Sequence, residues 1–257
     1  FHSVIPKTEK KCLRSKSPTH PENASIGPFT QVLALHRGRA ANELDANAYF
    51  TSRQHKSCAV HAGFKLHLSI SNIADKKTSD LIDLAGFLVN KSTDAKNNIK
   101  FQFKIACQKI SVKGKLRFSQ TEQFTIYFDR YSSMKDMLDF KDQVDDYMKV
   151  KFPGGNDVKP EKDIIIFSQF VSGRTALVSL TEQYPQSTMM TVDTVLGEFF
   201  KRHPRAKLQS VPMCVIDKAI NMAILESRGH NNGIFTCKLR DYLDEAVQDP
   251  DKFMEID

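Results

Sequence analysis

The chain alternates between apolar and polar positions in several short stretches. Over residues 63–70, Lys65, His67 and Ser69 point one way while Leu66, Leu68 and Ile70 point the other. A period of two is the mark of a half-buried strand. Residues 99–106 repeat it, with Lys100, Gln102 and Lys104 opposite Phe101, Phe103 and Ile105. Residues 115–118 and 123–128 follow; Thr125, Tyr127 and Asp129 face away from Phe124, Ile126 and Phe128. Residues 163–167 form an uninterrupted apolar run after Asp163, which predicts a buried strand, with Gly173-Arg174 at an exposing turn beyond it.

Other stretches carry the helical period. Residues 78–91 place Leu81, Leu84, Ala85, Leu88 and Val89 on one stripe, with Thr78 or Ser79 as cap and Asp80 at the positive end of the helix dipole. Residues 132–150 predict a long helix with Met134, Met137, Leu138, Lys141, Val144, Tyr147 and Met148 at helical spacing, the methionines as core fillers. Pro153-Gly154-Gly155 breaks the chain. Three more helices are expected at 191–202, at 213–228 with Gly229 as a stop, and at 236–247. Residues 29–35 read as a strand or short helix, 40–48 as a helix, and 49–62 as a polar loop. The expected class is therefore α+β: an antiparallel-rich twisted sheet flanked by helices, with a helical C-terminal region over 181–257. Residues 1–28, rich in Pro, Ser and Lys, read as an extended arm in which Lys10-Lys11-Cys12-Leu13 has the form of a short docking peptide.

Composition narrows the partners. With 40% hydrophobic and 26% charged residues the 257-residue chain is an ordinary globular one, and no apolar run is long enough to span a bilayer. It begins at Phe1 rather than Met, which leaves an address ahead of it open. The net charge of +7 favours anionic partners. No zinc finger or RNA-recognition signature accompanies it, so nucleic acid is not expected. The odd set Cys12, Cys58, Cys107, Cys214 and Cys237 lacks any CxxC pair and reads as free thiols; His55, Cys58 and His61 cluster in sequence but lack a fourth metal ligand.

The polar strand faces together offer Lys65, His67, Lys104, Arg117 and Tyr127, with Arg174 at its turn and Asp129 as the one carboxylate at an equivalent position. Cations around an imidazole and a phenol suit a phosphate ester, and a lysine crowded by cations loses its proton more readily. The blander reading of the same residues is solvated strand faces.

These residues resemble the phosphothreonine lyase family, the type III and type IV secreted effectors of Shigella, Salmonella and plant pathogens, to which the lyase domain of some lanthipeptide synthetases belongs. The family's Lys-x-His-hydrophobic-Ser strand is similar to Lys65-Leu66-His67-Leu68-Ser69, and its aromatic-Lys-aliphatic segment to Phe103-Lys104-Ile105. Its Arg before Gln-Phe-Thr-aliphatic-Tyr resembles Arg117 followed by Gln123-Phe124-Thr125-Ile126-Tyr127. Asp157-Val158-Lys159-Pro160-Glu161 and Ser172-Gly173-Arg174 complete the order. The likeness covers residues 45–176. It departs at Asp129, where the family has a basic residue and Arg130 stands next, and at Phe167-Ser168-Gln169, where a family Arg is missing.

The resemblance implies a catalytic domain over 29–180 and a carbon–oxygen lyase acting on phosphates. Lys104 would be the general base, His67 the general acid and Lys65 the support of the enolate-like charge, with Tyr127 assisting. Arg117, Arg174 and Arg130 would contact the phosphate. No metal and no cofactor is implied. The implied substrate is the activation-loop phosphothreonine of a host mitogen-activated protein kinase, left as dehydrobutyrine. The implied setting is secretion by a bacterium into the host cytoplasm or nucleus, as a monomer without nucleic-acid or membrane partners. Two other classes fit parts of the pattern: a non-catalytic phosphopeptide-binding module, and a two-histidine phosphoesterase, of which only one motif, His67-Leu68-Ser69, is present.

Overall fold

The alternating stretches pair into one mostly antiparallel sheet. The computed structural model describes residues 49–51, 61–71, 78–94, 96, 98–106, 111–112, 115–116, 122–155, 163–175, 186–227 and 232–254. The arm at 1–28, the elements expected at 29–35 and 40–48, the His55–Cys58 pair, Arg117 and the 157–161 match lie outside these residues. The strands are β1 (Tyr49–Thr51), β2 (His61–Leu68), β3 (Phe101–Ala106), β4 (Ser111–Val112), β5 (Lys115–Leu116), β6 (Phe124–Asp129), β7 (Ile165–Ile166) and β8 (Val171–Thr175). Six of them form a sheet in the order β1-β3-β6-β2-β8-β7, and every pairing is antiparallel; β4 and β5 make a separate ribbon. The chain is an α+β protein.

The central position of β2 follows from its sequence. Phe64, Leu66 and Leu68 are fully buried on one face, so both neighbours must supply apolar partners. Phe124, Ile126 and Phe128 of β6 and Val171 of β8 do so, and Phe101 and Phe103 of β3 extend the apolar face beyond β6. Helices pack on this side: α1 (Thr78–Thr93), α2 (Met134–Lys151), α3 (Gln186–Arg202) and α4 (Cys214–Glu226), with α5 (Asn232–Gln248) lying against α3 and α4. Helix α2 starts where Ser133 accepts a hydrogen bond from the Asp136 N–H, and it buries Met134, Met137, Phe140, Val144 and Met148. Phe140 packs against Phe101, the rings tilted by 42° with centroids 4.5 Å apart.

The C-terminal helices share this core. A single hydrophobic cluster runs from Ala62 to Phe253. Two aspartates also bind them to the sheet: Asp193 of α3 accepts the Thr175 N–H at 2.7 Å, and Asp217 of α4 accepts the Gly63 N–H at 3.1 Å.

Three local expectations are corrected. Residues 49–51, expected within a loop, form β1 against β3. Arg174, expected at a turn, lies inside β8. There Gly173 is required, because a Cβ at that position would sit 2.6 Å from Phe64 Cζ and 3.0 Å from the Phe167 ring. The run 163–167 is not buried throughout: Ile165 is, while Ile164 and Ile166 are exposed, because β7 is the edge of the sheet. Among the described residues no helix is long and apolar enough to cross a membrane.

Candidate functional site

Cross-strand register brings the polar positions into two adjacent rows on the face opposite the aromatic core. In one row Lys65 of β2 lies between Tyr127 of β6 and Arg174 of β8, with Gln102 of β3 beyond Tyr127. In the next, His67 lies between Thr125 and Ser172, with Lys104 beyond Thr125. Paired residues share a face at about 4.8 Å between strands, so these are true neighbours. The Lys65 ammonium stands 5.8 Å from the Tyr127 ring centroid.

Four of the expected residues, Lys65, His67, Tyr127 and Arg174, are thus assembled, and the β3 backbone at Lys104 shares the His67 row. Arg130 is set apart. It follows β6, its guanidinium lies 5.2 Å from the Tyr131 ring centroid, and it acts on the Cys214 thiol at the start of α4. Burial pushes that thiol up and the Arg130 charge partly offsets it. Cys214 and Cys237 are free thiols.

Carboxylates complete the site, and the alternation did not reveal them. Asp163 precedes β7 and is buried, with its Oδ2 2.6 Å from His67 Nδ1 and accepting the Ser172 hydroxyl at 2.6 Å. Its Oδ1 lies 3.6 Å from Arg174 Nε. Glu122, buried just before β6, approaches Arg174 at 3.9 Å. Both are ion-pair rather than hydrogen-bond distances, which leaves Arg174 N–H groups able to serve a ligand. Glu122 has a left-handed backbone with φ of 65°, a conformation that costs a residue with a side chain roughly 1–2 kcal/mol. Ser69, the last residue of the Lys-x-His-x-Ser strand, holds it there: its hydroxyl accepts the Glu122 N–H at 2.9 Å. Such strain persists where a surrounding structure fixes it, often at a site of function.

The electrostatics follow from burial. Removal from water pushes His67 below its usual value, more than Asp163 pulls it up, so the imidazole is neutral. A carboxylate only accepts, so the ring proton sits on Nδ1 and donates to Asp163 Oδ2. Burial raises Asp163, but the hydrogen bonds from His67 and Ser172 and the Arg174 charge oppose it, and the carboxyl is held below its ordinary value. Asp193, behind β8, is pushed up to about 7, chiefly by burial.

His67, Glu122 and Asp163 also present three metal-ligand atoms within 4.8 Å of one another. Two carboxylates and an imidazole would suit a divalent cation. Arg174 lies against both carboxylates and already supplies positive charge there, and His67 Nδ1 and Ser172 both use Asp163 Oδ2. The donor set therefore fits an arginine cradle better than a metal.

No family model, curated protein or solved structure matches the chain.

Proposed function

We propose that the protein is a phosphothreonine lyase that removes phosphate by β-elimination. The observation that carries the reading is the double row in which Lys65 lies between Tyr127 and Arg174, beside a His67 held by a buried Asp163. In a phosphothreonine the Cα proton is weakly acidic, and the leaving group is a phosphate dianion. Lys104 as a neutral amine takes the Cα proton. The electron pair forms the Cα–Cβ double bond as the Cβ–O bond breaks. His67 Nε2–H gives its proton to the departing phosphate, and Lys65 balances the enolate-like charge on the neighbouring carbonyl. Arg174, with Arg117, grips the phosphate.

The neutral state of His67 is compatible with this role. A phosphate dianion beside Nε2 favours the imidazolium, and Asp163 stabilises the charge on the far side of the ring. The acid then acquires its proton together with the substrate. A contribution of roughly 10²–10⁴-fold is usual for such a group.

The substrate class that follows from the resemblance is a phosphorylated host mitogen-activated protein kinase, with the protein acting as a secreted bacterial effector in the host cell. Mass spectrometry of a doubly phosphorylated activation-loop peptide tests the reaction. A lyase yields a product one water lighter than the dephosphorylated peptide. Loss of the phosphoryl group alone would identify a phosphatase and overturn the mechanism. An unaltered peptide that nonetheless binds would identify a phosphopeptide-binding module.

A further inference from the structure

The polar face does not end at His67. Ile166 of β7 pairs with Ser172, which pairs with His67, so Ile166 stands on the His67 face, two strands away. Alternation puts Ile164 on the same face, beside Arg174. Ile164 is 37% and Ile166 49% exposed, while Ile165 between them is 5% exposed and points into the core. An edge strand usually carries charge or proline on its wet face. Two exposed isoleucines there form an apolar shoulder joined to a charged site.

Behind the shoulder a pocket of about 400 Å³ opens between β7, α2 and α3. Its lining includes Ile164, Ile166, Leu138, Phe200 and the cations Lys141 and Lys201. Asp193 also lines it, and the same carboxylate accepts the N–H of Thr175, next to Arg174. The pocket and the arginine strand are thus tied through one side chain.

We infer that this shoulder and pocket hold the flanking residues of a phosphopeptide substrate, with a large apolar side chain three positions from the phosphothreonine. The inference rests on the lyase reading for the identity of the peptide. The occupant follows from continuity: a chain whose phosphate is gripped by Arg174 must leave the site across a face, and at the β7 edge that face is apolar and is joined, around the edge, to the pocket on the helix side that Ile164 and Ile166 also line. Two strand spacings are about 10 Å, the span of roughly three extended residues.

The test uses three short phosphothreonine peptides: leucine three residues before the phosphothreonine, leucine three residues after it, and alanine at both places. Specificity is read as the leucine-to-alanine ratio of kcat/KM where the peptide is turned over, and of 1/Kd by fluorescence anisotropy where it is not. Burial of a leucine side chain predicts a ratio of roughly ten or more for one placement. In the Ile164→Ser/Ile166→Ser double variant that ratio falls towards one. A wild-type ratio near one for both placements, or a ratio unchanged in the variant, overturns the inference. Failure of the lyase reading is separate: no peptide would lose phosphoric acid, while the leucine-to-alanine ratio still reports on the shoulder.

Discussion

Asp163 accepts hydrogen bonds on one oxygen, Oδ2, from both His67 Nδ1 and the Ser172 hydroxyl, each at 2.6 Å. The His67 bond fixes the imidazole tautomer, with the proton on Nδ1 and Nε2 left as the acceptor. An Asp163→Asn amide can present its NH₂ group to the ring, which reverses the tautomer. The expected result is a fall in kcat of roughly 10²–10⁴-fold with a much smaller change in KM. Steady-state kinetics with the phosphothreonine peptide checks this, alongside a circular dichroism melt. A variant with unchanged kcat would show that the Asp163 contact is structural only.

Lys104 lies in β3 opposite Thr125, in the His67 row. The role of base proposed for it predicts that Lys104→Ala reduces dehydrobutyrine formation by at least roughly 10²-fold. A catalytic role that does not support the fold predicts a melting temperature near that of the wild type. Mass spectrometry of the product reads the first quantity and calorimetry the second. Retained turnover would remove Lys104 from the mechanism.

The alternation in 61–68, 101–106 and 124–129 was enough to read the strands, the shared polar face and the aromatic side, because those strands carry polar side chains on one surface and apolar ones on the other; it did not show that His67, Thr125 and Ser172 on the polar surface are themselves buried. It failed where a residue leaves the strand period. Asp163 and Glu122 enter the site from the ends of β7 and β6, and nothing in a period of two marks a loop residue that turns inward. The isolated charge of Asp163 ahead of an apolar run was the available signal. Arg174 was expected at a turn because Gly173 precedes it, yet that glycine is there for the close approach of Phe64. The run of isoleucines at 164–166 gave no hint of an edge, since burial of alternate residues depends on which strand is absent from one side.

Gly173 offers a direct check on the packing beneath the site. Its missing Cβ is the space into which the Phe64 ring fits, at 2.6 Å from the position a methyl would take. Phe64 is fully buried and packs edge-on against Phe200 at 5.4 Å, so it has little room to retreat. Gly173→Ala is expected to cost about 1–3 kcal/mol, read by urea denaturation. Ser172 and Arg174 flank the glycine, so β8 moves both. A lower kcat/KM should accompany the lost stability, and an alanine variant as stable and active as wild type would mean that the Phe64 contact is not tight.

Asp193 supplies a pH-dependent contribution whose sign is fixed. Burial is the main cause of its rise to about 7 from 3.8; the Asp163 charge adds to it, and the Thr175 N–H, Arg174 and Lys65 oppose it. Between these two values the folded protein holds a proton that the unfolded chain has released. Stability from this group is therefore full below about 4 and is lost as pH rises through 7. His67 has the opposite sign, since burial lowers it: its contribution is full above 6.5 and falls as pH drops below that value. An Asp193→Asn side chain keeps an oxygen to accept the Thr175 N–H and carries no charge at any pH. The His67 contribution is common to both proteins and cancels in their difference. The variant should accordingly gain stability relative to wild type on going from pH 5 to pH 8. Urea denaturation at the two pH values measures this directly. A difference independent of pH would mean that Asp193 titrates as an ordinary carboxylate and that its hold on β8 is charged throughout.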